Sequence, residues 1–139
     1  MSSDVTVDLI RSLIEAMNEP SLGSTVQGPV EDWESLAIVL EFGDGYRSAS
    51  GYAYLPEGAV APVACRWSSI RPAVDAYLGS YYEPGDLLPV KMLVQFDRTT
   101  GKYEVTFEET NEDRWKTRPT NYRQMREELR PRLDGVRNV

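Results

Sequence analysis

The chain has 139 residues, a hydrophobic fraction of 41 % and a formal net charge of −7. That length suits one domain with an ordinary core, which needs no disulfide or metal to hold it. The absence of histidine excludes Ser-His-Asp and Cys-His catalysis and every His-containing zinc site.

Charge is unevenly placed. From Arg114 onward, eight Lys/Arg stand against three acids, a local excess of +5 that leaves −12 on residues 1–113. An acidic body repels nucleic acid and draws in cationic partners. The polar, acidic start Met1–Asp4 lacks the basic residue and apolar stretch of a signal peptide. The longest apolar run, Leu36–Leu40, is far below the ~20 residues that cross a bilayer. A cytoplasmic protein with no membrane contact is expected. Cys65 stands alone and reads as a buried structural thiol.

In chain order, Asp4–Met17 reads as a helix, with Val5, Leu9, Leu13 and Met17 recurring every four residues and Asp4 or Thr6 as cap. Pro20–Pro29 is a loop. Trp33–Phe42 is a strand with Leu36, Ile38, Leu40 and Phe42 on one face. Gly43-Asp44-Gly45 turns it into a second strand, Tyr46–Leu55, with Ser48, Ser50, Tyr52 and Tyr54 on one face. Pro56–Arg66 is a loop, with Val63–Arg66 as a candidate short strand. A helix follows over about Ser69–Ser80, capped by Ser68 or Ser69 with Pro72 in its first turn. Leu88–Asp97 and Lys102–Glu108 make a second hairpin, closed by a type I turn with Gly101 in the left-handed region. Asn121–Arg130 is the last helix, with Asn121 and Gln124 at capping-box spacing and Pro131 as stop.

The expected fold is α+β: a four-stranded antiparallel sheet of two hairpins, helices packed on one face, order α-β-β-α-β-β-α. It forms a single domain over 1–139 with a basic C-terminal helix and tail from about residue 120.

No cofactor or metal motif is present, and the Gly43/Gly45 pair belongs to a hairpin turn rather than a phosphate loop. Carboxylates are the only acid–base groups on offer, in three clusters: Glu31, Asp32 and Glu34; Glu41 and Asp44; and Glu108, Glu109, Glu112 and Asp113. None has the spacing of a catalytic pair, so a solvated or partner-binding face is the simpler reading. Trp115, Tyr52 and Tyr54 are candidate anchors, since aromatic side chains bury much area at little entropic cost. Glu104, Glu108, Glu109, Glu112 and Asp113 would supply attraction. The basic tail is expected to pair with the acidic body, within the chain or across a homodimer.

The second half carries a helix, Ile70-Arg71-Pro72-Ala73-Val74-Asp75-Ala76-Tyr77-Leu78, and a Gly-containing break. An apolar strand, Val90-Lys91-Met92-Leu93-Val94, and Gly101-Lys102-Tyr103-Glu104-Val105-Thr106-Phe107 follow. An acidic stretch and Glu127-Glu128-Leu129-Arg130 close it. Over about residues 65–131 this pattern resembles the YezG-like immunity (antitoxin) proteins of bacterial polymorphic toxin systems. The resemblance implies a small intracellular protein without catalytic residues that neutralises a toxin, often a nuclease, by direct binding. The alternatives are a structural or regulatory homo-oligomer joined at its sheet edge, and a carboxylate-dependent enzyme.

Overall fold

The computed structural model describes residues 2–18, 32–42, 47–111, 113–116 and 120–131, excluding the side chains at 2–4, 57 and 122. The Pro20–Pro29 loop, the Gly43-Asp44-Gly45 turn, the acids Glu31, Asp44 and Glu112, and the tail beyond 131 lie outside the described residues. The elements are α1 (Ser2–Met17), β1 (Ser35–Glu41), β2 (Ser48–Tyr54), β3 (Val60–Ala64), α2 (Trp67–Gly79), β4 (Lys91–Asp97), β5 (Tyr103–Glu108) and α3 (Tyr122–Glu128). All strand pairs are antiparallel, in the order β3-β2-β1-β4-β5. Among the described residues no helix is long and apolar enough to cross a membrane.

Among the described residues the sheet therefore has five strands rather than the expected four, and the order is α-β-β-β-α-β-β-α. The additional strand is β3, which starts earlier than the candidate short strand Val63–Arg66 and overlaps it only at Val63 and Ala64; Pro62 sits at its centre. A proline is accommodated there because β3 is an edge. Cys65 N–H bonds the Ala49 carbonyl, so by alternation Pro62 faces away from β2, where no ladder hydrogen is required of it.

The helices also divide between the two faces of the sheet, rather than sharing one. The first face is the main core: Leu36, Ile38 and Leu40 from β1 and Met92, Val94 and Phe96 from β4, with Leu9 and Leu13 from α1 and Ile70, Val74 and Tyr77 from α2. On the second face, Met125 of α3 and Leu129 just past its end pack on Ala37, Val39, Tyr54 and Leu93. The strand β1 is apolar on both sides, the pattern of a strand buried from above and below.

Helix ends differ from the expected caps. Thr6 is buried inside α1 and hydrogen-bonded with Tyr77 of α2. Helix α2 begins at Trp67 with Arg66 in the cap position, and Pro72 lies inside it, so the Ser68 carbonyl loses its intrahelical donor. The Asn121/Gln124 capping box does not form. Asn121 Nδ2 donates to the Lys116 carbonyl (3.0 Å) and Gln124 Nε2 to Glu128 Oε1 (3.3 Å). The β4–β5 turn is as expected: Gly101 has φ +76°, its N–H reaches the Asp97 carbonyl (2.8 Å), and Asp97 Oδ1 accepts from the Thr99 and Thr100 N–H groups.

Candidate partner-binding face

Three sheet side chains hold Arg114, Arg126 and Leu129 against the second face by their backbone carbonyls. Lys91 Nζ donates to the Arg114 carbonyl (2.8 Å), Gln95 Nε2 to Leu129 (2.8 Å) and Tyr54 Oη to Arg126 (2.6 Å). Lys91 and Gln95 are both buried, an arrangement that is stable only because each has such a partner. The Lys91 ammonium also meets Glu41 Oε1 at 3.1 Å, while Glu41 Oε2 accepts from Ser48 Oγ at 2.9 Å.

Beside these residues the sheet is left partly open. A groove of about 410 Å³ is floored by Val39 and Glu41 of β1, Ser50 and Tyr52 of β2 and Pro62 of β3. Trp115, Lys116 and Leu129 form its other wall. Trp115 has φ +62°, the left-handed region that a bulky residue adopts only at a cost of order 1–3 kcal/mol. The Arg114 guanidinium lies 4.4 Å from the Trp115 ring centroid. It also ion-pairs with Glu108 at 2.9 Å.

The expected site residues therefore have different fates. Tyr52 and Trp115, 63 positions apart in sequence, line one groove. Tyr54 is no anchor for a partner: at 2 % exposure it lies beneath α3, with the Arg130 guanidinium 4.5 Å from its ring centroid. Burial pushes its phenol well above the ordinary range, against the opposing pull of Arg130. Glu108 organises its own neighbourhood. It takes the Arg114 guanidinium and the N–H groups of Thr110 and Asn111. Glu109 accepts from Tyr82 Oη (3.1 Å) at the first-face end of the same edge. Glu104 and Asp113 are exposed, and Glu112 is outside the described residues.

The Arg114 hydrogen bond, with those of Asn111 and Thr110, holds the Glu108 carboxyl at about 2, below its ordinary 4.5. A depressed carboxylate contributes stability that is complete above the ordinary value and is lost as pH falls toward the folded one. Acid should therefore weaken the wild type between pH 4.5 and 2 more than it weakens Glu108→Gln. Denaturant titrations at steps through that window check this, and parallel curves for the two proteins would contradict it.

Sequence reasoning missed Lys91 and Gln95 as parts of this site, and placed Glu41 only in a carboxylate cluster with Asp44. The available signal was a lysine and a glutamine at alternate positions in a strand otherwise as apolar as β4. Comparison with protein-family models, curated proteins and solved structures yields no match.

Proposed function

We propose that this chain is a non-catalytic binding protein that neutralises a cationic protein, in the manner of an immunity protein against a basic, nucleic-acid-degrading toxin. The observation that carries this reading is the groove that joins Tyr52 and Trp115. Two aromatic side chains on a built, partly apolar surface have the character of interface anchors. Glu41 is the carboxylate lining that groove, and it is already bonded to Lys91 and Ser48. The acidic, histidine-free composition supports the cationic partner, because charge complementarity speeds encounter.

Co-expression with a basic toxin domain encoded beside this gene is the test. Growth should be restored by the wild type, and Tyr52→Ala with Trp115→Ala should weaken the complex by a factor of about 100, the loss of roughly 3 kcal/mol expected for two anchors. A neighbourhood without any toxin or secretion component, or a toxin left fully active, contradicts the proposal.

A further inference from the structure

The two edges of the sheet are unlike. β3 has Pro62 at its centre, with no N–H to offer a new strand on its outer side. β5 has no proline and no bulge within Tyr103–Glu108. Among the described residues no strand pairs with its outer side. Asp97 N–H bonds the Lys102 carbonyl (2.9 Å) and Val90 N–H the Glu108 carbonyl (2.8 Å), so even-numbered residues turn their backbone groups toward β4. By alternation Tyr103, Val105 and Phe107 present theirs outward. An open edge of this kind is a template for another strand.

We infer that β5 pairs antiparallel with β5 of a second copy of this chain, centred on Val105, making one continuous sheet from two.

The register follows from the side chains. Centring on Val105 sets Tyr103 opposite Phe107 and, twice over, Lys102 opposite Glu108. The outward backbone groups of Tyr103, Val105 and Phe107 then fall into hydrogen-bonded pairs, about six main-chain bonds in all. Moving the centre to Thr106 sets Glu104 opposite Glu108, and moving it to Glu104 sets Glu104 opposite itself. Like charges directly opposite one another are destabilising, whereas aromatic and opposite-charge pairs stabilise. One register therefore uses the whole strand without a carboxylate clash. On the first face, Tyr81 is 51 % exposed with its ring 5.7 Å from that of Phe107, adding apolar surface beside the edge. The charge pattern suits a second copy better than an arbitrary strand, because the strand complements itself.

Sedimentation of the full chain at low and high salt tests the pairing, together with two variants. The wild type should be a dimer. Lys102→Glu replaces both charge pairs by repulsion and should raise the dimer dissociation constant about tenfold at low salt, with the gap narrowing as salt rises. Glu104 lies opposite Thr106 in this register, so oxidised Glu104→Cys/Thr106→Cys should yield a covalent dimer and Glu104→Cys alone should not. The native Cys65 is buried and leaves that assay clean. A folded wild type that stays monomeric at high concentration in both salts overturns the inference. So does a dimer that neither variant affects, or a β5 edge found occupied by a basic strand of another protein.

Discussion

Gly51→Ala should lower the stability of the fold by roughly 3 kcal/mol, because the added methyl group has nowhere to go. Gly51 lies in β2 opposite Ile38 of β1. A Cβ built on it meets the Ala37 carbonyl oxygen at 1.9 Å, and the Ala37 carbonyl carbon and Ile38 Cα at 2.9 Å. These are backbone atoms of the sheet's middle strand, which is hydrogen-bonded on its other side to β4. They cannot yield as the end of a flexible side chain would. Relief requires the β1–β2 ladder to open, and with it the groove floor that both strands supply. For a domain of this size the thermal midpoint should fall by about 10 °C. Gly79→Ala is the control, since its Cβ meets nothing within 4 Å at the end of α2. A thermal melt in which both variants behave alike would contradict this explanation of Gly51.

Lys91→Met should cost about 2–3 kcal/mol and should loosen the covering segment specifically. The substitution keeps most of the volume but deletes two interactions at once, the ion pair with Glu41 and the clip to the Arg114 carbonyl. Breaking a fully buried pair costs more than this. The lower figure reflects Glu41, whose side chain is 30 % exposed into the groove and stays partly solvated. Because the clip holds the residue before Trp115, indole emission should shift to the red before global unfolding. Adding Glu41→Gln should recover part of the loss, since the uncompensated carboxylate is then gone. Additive losses in that double-mutant cycle would mean that the two side chains act independently.

The core face of the fold was legible from period alone. Leu36, Ile38 and Leu40 alternate, as do Met92, Val94 and Phe96, and both sets enter the main core as read. Of the stripe that the same period marks on α2, Ile70, Val74, Tyr77 and Leu78 are buried, whereas Tyr81 lies beyond the helix end and is half exposed. The second face was harder to read. Its helix, α3, is short, and among its described side chains one apolar residue is buried, Met125, with Leu129 just past the helix end. Such a helix is held by its tertiary partners rather than by propensity, so its side of the sheet cannot be inferred from its own pattern. Its side of the sheet is marked by a tyrosine on β2 and a lysine and a glutamine on β4, each aimed at a main-chain carbonyl, of Arg126, Arg114 and Leu129 respectively. Main-chain carbonyls leave no mark in a sequence. For the same reason Tyr54 looked like a surface anchor equal to Tyr52, although two positions along one strand separate a covered ring from one that borders a groove. The acids show a related limit. Glu108 and Glu109 are adjacent, yet one closes a turn with Arg114 while the other reaches Tyr82.

The salt dependence of binding to a basic nuclease-toxin domain, the class of partner proposed, tests the proposed function most directly. Association should be fast at low ionic strength and slow steeply as salt is added, and the dissociation rate should rise when Tyr52 and Trp115 are truncated. Binding that ignores salt and both truncations, or no binding at all, would contradict a charge-steered partner seated on the second face.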